Sequence, residues 1–165
     1  MAERDVSTAY YESPIGTIEI RGTEAGVSFL GFVDLIEERS ARRTKAALPG
    51  PLDAALAQLE GYFRGSRRAF TVRLDLRGTP FQMKVWSELL EIGYGRTITY
   101  KALAAAVGNS AATRAVGGAN HANPVSIIVP CHRVVGSDGR LTGYGGGLWR
   151  KEWLLRHEGT DRLFV

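Results

Sequence analysis

The one thiol of this 165-residue chain, Cys131, lies in the stretch NPVSIIVPCHRVVGSDGR, residues 123–140, between Pro130 and His132. A lone cysteine is ordinarily a small core hydrophobe. Here an imidazole is adjacent, no carboxylate is close in sequence and a helix start is expected, and each of these favours the nucleophilic thiolate. The apolar run VSIIV, 125–129, reads as a short buried strand that Pro130 stops, so the thiol emerges where the chain changes direction. Glu158 falls in the last turn of a helix over LWRKEWLLRHEG, ended by Gly159, where the helix dipole disfavours an anion. Such a carboxylate needs a positive or hydrogen-bonding partner. A histidine would complete a Cys–His–Glu relay, and a solvated terminal glutamate is the alternative. Between thiol and carboxylate runs TGYGGG, 142–147, either a linker or a lid over a pocket, with Tyr144 set to stack on a planar ligand.

Ahead of the thiol, residues 99–122, TYKALAAAVGNSAATRAVGGANHA, read as two short helices around a tight turn. Thr99 is expected to cap the first, whose apolar stripe is Tyr100, Leu103, Ala104 and Val107. Gly108 ends it and Ser110 caps the second. Helical spacing turns Ala112, Ala115, Val116 and Ala119 to the core and Arg114, Gly117, Gly118 and His121 to the opposite side. Two glycines inside a helix cost roughly 1 kcal/mol each relative to alanine. Either they let the helix press against DNA, with Arg114 supplying a cation, or they permit packing of another helix of the chain.

The turn RGTP, 77–80, marks the expected boundary between a domain over 1–78 and one over 79–165. Thr79 caps and Pro80 opens the helix FQMKVWSELLEIG, with an apolar face of Phe81, Val85, Trp86, Leu89 and Leu90. Before it, GTIEIR (16–21) and GVSFLGF (26–32) read as strands, and the charged segment 33–50 as a loop with a short helix. A helix over PLDAALAQLEGYF places Leu52, Leu56, Leu59 and Phe63 in register. AFTVRLDLRG, 69–78, is the cleanest strand pattern, with Phe70, Val72, Leu74 and Leu76 on one face. Nothing in this half offers a site; it reads as a supporting α/β domain.

Composition matches an ordinary globular protein, 44% hydrophobic and 23% charged. The N-terminal residues lack a signal-peptide pattern, and no run reaches the roughly 18 apolar residues of a membrane span. One cysteine cannot close an internal disulfide or supply a cysteine-rich zinc site, so a reducing, cytoplasmic setting is expected. The net charge of +4 arises after residue 79: residues 1–79 hold 11 basic and 11 acidic side chains, residues 80–165 hold 10 and 6. Between Glu91 and Asp138 there is no carboxylate, while Arg96, Lys101, Arg114 and Arg133 lie there. That stretch suits a surface meeting a polyanion, or is simply buried and rich in alanine and glycine.

Taken together, PCHRVVGSDGRLTGYGGG (130–147), RAVGGANHANP (114–124), TITYKALA (97–104) and KEWLLRHEG (151–159) resemble the O6-alkylguanine-DNA alkyltransferases, in the family's order and spacing over residues 80–159. The resemblance implies an α/β (α+β) fold: a small N-terminal sheet-plus-helix domain, then a mainly helical domain with a helix-turn-helix. It implies a methyltransferase that repairs DNA by moving the alkyl group from the guanine 6-oxygen to Cys131. His132 would act as base through a water, Glu158 would orient it, Tyr100 would help protonate the departing guanine, and Asn123 would tie the recognition helix to the active-site strand. Arg114 would enter the base stack, with Thr113, Lys101, Gly117 and Gly118 also against DNA. Tyr144, the Gly145 backbone, Val134 and Ser126 would line the base pocket. Gly145 departs from the serine of many relatives, and the absence of other cysteines departs from members that hold zinc. The implied partner is double-stranded DNA carrying alkylated guanine, met by a cytoplasmic monomer without cofactor, metal or membrane.

The chemistry agrees with a protein consumed in one turnover, because a thioether, unlike a thioester, is not hydrolysed under these conditions. The buried target atom requires the base to be turned out of the duplex. Other classes account for less. A relative that only binds the lesion would lack the cysteine, and a Cys–His hydrolase leaves the glycine-faced helix unexplained. A DNA-binding regulator leaves Cys131, His132 and Glu158 idle.

Overall fold

The structure, a computed structural model, describes residues 5–34 and 47–160. Most of the charged segment 33–50 lies outside these residues. The chain divides between Leu76 and Arg77 into two compact units.

The first unit is an antiparallel meander of β1 (Ser7–Ser13), β2 (Gly16–Thr23) and β3 (Gly26–Phe32), with α1 (Gly50–Phe63) packed on it. Ile18, Ile20, Val27 and Leu30 of the sheet are buried against Leu52, Ala55, Leu59, Tyr62 and Phe63 of the helix. Ala55 and Tyr62 fill the stripe where Leu56 was expected, and Leu56 is only half-buried. The first strand was not anticipated, because STAYYES lacks an apolar alternation; it pairs with β2 along its whole length, from Ser7 opposite Gly22 to Ser13 opposite Gly16.

The clean alternation over 69–78 does not make a strand. It touches the sheet at one bridge, Val27 to Leu74, where Val27 N donates to the Arg73 carbonyl and the Asp75 N to the Val27 carbonyl. Farther back the Gln58 side chain takes the place of a neighbouring strand, accepting from Thr71 N at 2.9 Å and donating to the Thr71 hydroxyl at 2.8 Å. Gly26 makes the bridge possible: a Cβ there would lie 2.7 Å from the Leu74 carbonyl carbon.

In the second unit α2 (Pro80–Leu90) opens on a complete capping box. The Thr79 side chain accepts from Gln82 N, and the Gln82 side chain accepts from Thr79 N. Its buried face is Val85, Trp86 and Leu89, narrower than expected, since Leu90 is 46% exposed. A parallel pair of β4 (Ile98–Thr99) and β5 (Val134–Val135) joins the middle of the unit to its end. The helix-turn-helix is α3 (Tyr100–Ala106), capped by the Thr99 side chain, and α4 (Thr113–His121). A short 3-10 turn, Cys131–Arg133, precedes β5, and α5 (Leu148–His157) packs on that turn.

Two expectations fail here for local reasons. Ser110 does not cap α4; Ala112 holds the N-cap position, and Asn109 organises the turn by accepting from Ala111 N with its side chain and Ala112 N with its carbonyl. VSIIV is not a strand but a tight turn, with Ile128 N bonded to Ser126 O and Val129 N to Val125 O. Ile127 is held at φ 70, a conformation costly for a β-branched residue. No helix among the described residues is long and apolar enough to cross a membrane.

Candidate active site and nucleic-acid interface

Cys131 is buried in the 3-10 turn, and Asn123 and Asn120 hold the backbone around it. Asn123 closes the 125–129 turn: its side chain accepts from Val125 N at 3.0 Å and donates to the Val129 carbonyl at 2.8 Å. The Asn120 side chain, from α4, donates to the Cys131 carbonyl at 3.4 Å. A residue of the helix-turn-helix therefore touches the residue bearing the thiol. The expectation that this setting favours the thiolate at rest is not met. Burial pushes the Cys131 thiol up, while Asn123 and Lys151 pull the other way without prevailing. The thiol is thus protonated at neutral pH, and its nucleophilic form requires a base.

The neighbouring residue has the form of that base. His132 is fully buried, with Nε2 2.8 Å from Glu158 Oε1. Burial alone would raise the Glu158 carboxyl, but His132 and Arg133 hold it well below the usual carboxylate range. An ionised carboxylate only accepts, so the proton of the neutral imidazole resides on Nε2. That leaves the lone pair on Nδ1, which is buried and has no hydrogen-bond partner among the described residues. Burial lowers the His132 pKa against the pull of Glu158, so the neutral, proton-accepting form prevails at neutral pH.

Arg133, one of the cations of the carboxylate-free stretch, is buried rather than on a surface that could meet a polyanion, and it clamps the same carboxylate. Its Nε lies 2.9 Å from Oε2 and its Nη2 2.9 Å from Oε1, while Nη1 donates to the Ile92 carbonyl. The arginine follows the histidine directly in the 3-10 turn, so both reach one carboxylate at the end of α5. Two more residues were missed. Asn120 sits on the buried face of α4 where Ala115, which is exposed, was expected. Lys151 is fully buried on the face of α5 that also carries Leu154 and Leu155, its i+3 and i+4 neighbours. That spacing was the available signal, since a lysine in register with two core leucines cannot reach solvent easily.

Around the thiol stand Tyr100, Tyr144 and Lys151, each of whose ionisation responds to a charge on Cys131. The Tyr100 hydroxyl donates to the Thr142 carbonyl at 3.3 Å, and burial raises its pKa. The Tyr144 hydroxyl is buried without a hydrogen-bond partner in good geometry among the described residues, although Ser126 is close enough to affect its ionisation. Val134 is buried in β5. Gly145 is exposed, and a Cβ there would meet nothing within 4 Å. The side chain of a serine would therefore fit at this position.

On the outer face, Lys101, Thr113, Arg114, Gly118 and His121 are exposed and Gly117 partly so. A Cβ on Gly118 would meet nothing within 4 Å, and one on Gly117 would lie 3.9 Å from the Tyr100 ring, an ordinary contact. Neither glycine is needed for packing within the described chain. Trp86 fixes the inner side of the same helix, its indole N–H donating to the Ala119 carbonyl at 2.9 Å.

The chain is similar over nearly all its length to proteins already known. The family description "6-O-methylguanine DNA methyltransferase, DNA binding domain" matches residues 80–160, and the ribonuclease-like domain of that family matches residues 6–76. A methylated-DNA–protein-cysteine methyltransferase of Methanosarcina acetivorans is 45% identical over 152 residues, 92% of this chain and 97% of its own. The crystal structure of the Mycobacterium tuberculosis O6-methylguanine methyltransferase, 45% identical, matches with a TM-score of 0.81 over 95% of this chain and 94% of its own. That of Mycobacterium tuberculosis OGT in complex with DNA, 44% identical, gives 0.80 over 94% and 98%.

Proposed function

This chain belongs to the 6-O-methylguanine DNA methyltransferase family, which repairs DNA by alkyl transfer to a cysteine, and on that premise we propose that Cys131 is the acceptor. The substrate is guanine alkylated on its 6-oxygen in double-stranded DNA. His132 Nδ1, through a water, takes the thiol proton; Sγ attacks the alkyl carbon, the carbon–sulfur bond forms and the carbon–oxygen bond breaks. The electron pair leaves on guanine, and Tyr100 helps protonate it. Glu158 keeps the His132 proton on Nε2, and Arg133 keeps Glu158 ionised. Asn123 holds the turn that presents the thiol.

The same reading assigns the DNA contacts. Arg114 takes the space of the extruded base, while Gly117 and Gly118 allow α4 to come close and Thr113 and Lys101 meet the backbone. Tyr144, the Gly145 N–H, Ser126 and the Val134 main chain frame the flipped base. The protein acts as a monomer in the cytoplasm and uses no metal or cofactor.

The observation that supports this most is the buried Nδ1 of His132, the residue next to the thiol in the chain, which has no hydrogen-bond partner among the described residues while Nε2 is committed to a carboxylate. Stoichiometry tests it. Incubated with excess duplex carrying one methylated guanine, each protein molecule should repair one lesion and then stop. Continued turnover would overturn the reading, because a thioether on Cys131 has no route back to the thiol.

A further inference from the structure

Lys151 has no part in the steps above, yet its side chain is fully buried, and no carboxylate among the described residues pairs with it. An apolar residue of similar volume would avoid the desolvation of a buried ammonium, so its presence points to a use. Its Nζ donates to the Thr142 carbonyl at 2.9 Å, the oxygen that also accepts from the Tyr100 hydroxyl at 3.3 Å. Nζ stands 5.7 Å from the Tyr100 ring centroid. Thr142 opens the glycine-rich loop that carries Tyr144 and Gly145, so one carbonyl joins α3, α5 and the start of that loop. The ammonium also pulls the Cys131 pKa down against burial.

We propose that Lys151 is a positioning residue for alkyl transfer: its ammonium anchors the 142–147 loop beside Tyr100 and supplies the positive field in which the Cys131 thiolate forms. This rests on Cys131 as the acceptor. Burial brings the Lys151 pKa down to about 8, which leaves the ammonium in the majority at pH 7. A neutral residue at this position would have no such field, and an arginine would restore the charge with a bulkier, planar head.

The test compares Lys151→Met, Lys151→Gln and Lys151→Arg in the full chain at pH 7, where the ammonium is the majority form, by melting temperature, by the rate of iodoacetamide labelling at Cys131, and by transfer rate on methylated duplex and on the free alkylated base. Lys151→Met should melt no lower than wild type, label about tenfold more slowly, and transfer about tenfold more slowly on both substrates. Lys151→Gln keeps a donor for Thr142 without the charge and should show the same slower labelling; it is the variant to read if the methionine form fails to fold. Lys151→Arg should bring the labelling rate back towards wild type. Wild-type labelling rates in both neutral variants would overturn the proposal. Failure of the acceptor reading would look different, since wild-type protein would then gain no alkyl mass on the Cys131 peptide.

Discussion

The site around Cys131 depends on one carboxylate serving two partners, a neutral imidazole and a guanidinium. Glu158 meets His132 and Arg133 at once, and the signs of their shifts set the acid stability of the protein. Glu158 is held low in the folded state, so its contribution is full above the unfolded carboxylate range, near pH 4.3, and is lost as pH falls through its folded value. His132 is also lowered, so the unfolded chain takes up that proton first, and stability already declines below about pH 6.5. Urea midpoints should therefore fall steadily from neutral pH downward. Glu158→Gln should flatten the acid end of that curve. At pH 7 the variant should lose about 3–5 kcal/mol, because Arg133 keeps a buried charge without its counter-ion. It should also transfer alkyl groups about a hundredfold more slowly, since Nε2 no longer has a carboxylate to fix the tautomer. The thiol, the adjacent histidine and the helix-end carboxylate were legible as residue types. Arg133 was not, because a basic residue in a motif reads as a surface charge, and for Lys151 the only sign was its register with Leu154 and Leu155.

At the level of elements, the helix-turn-helix carries a stripe that folding alone does not explain. Gly118 faces open space, so Gly118→Ala should raise stability by up to about 1 kcal/mol through helix propensity. If the stripe lies against DNA, the added methyl should slow reaction on duplex while leaving reaction with the free alkylated base unchanged. Arg114→Ala separates insertion from simple charge neutralisation. It should lose far more rate on duplex than on free base, and a mismatch opposite the lesion should partly restore it, because less unpairing is then required. Equal losses on both substrates would assign Arg114 to the pocket or the fold. Helices with side-chain caps, at Thr79 and Thr99, could be read from the sequence because their signals are local. The segment 69–78 and the 125–129 turn could not. Alternation and apolar runs describe which side chains seek cover, whereas Gln58 and Asn123 decide where the backbone hydrogen bonds go.

On the scale of the whole molecule, charge and chemistry coincide in the chain beyond residue 79, which carries the entire positive excess. Binding to undamaged duplex should weaken steeply with salt, and Lys101→Ala should reduce the slope of log K against log salt by about one unit without changing the lesion preference. The central claim is that the lone thiol is the final resting place of the alkyl group. The most direct measurement is peptide mass after incubation with duplex DNA bearing one methylated guanine. A single methyl increment is expected on the peptide containing Cys131 and none in Cys131→Ser, which should still bind the DNA. A methyl increment on any other peptide, or repair of the lesion with the Cys131 peptide unmodified, would contradict it.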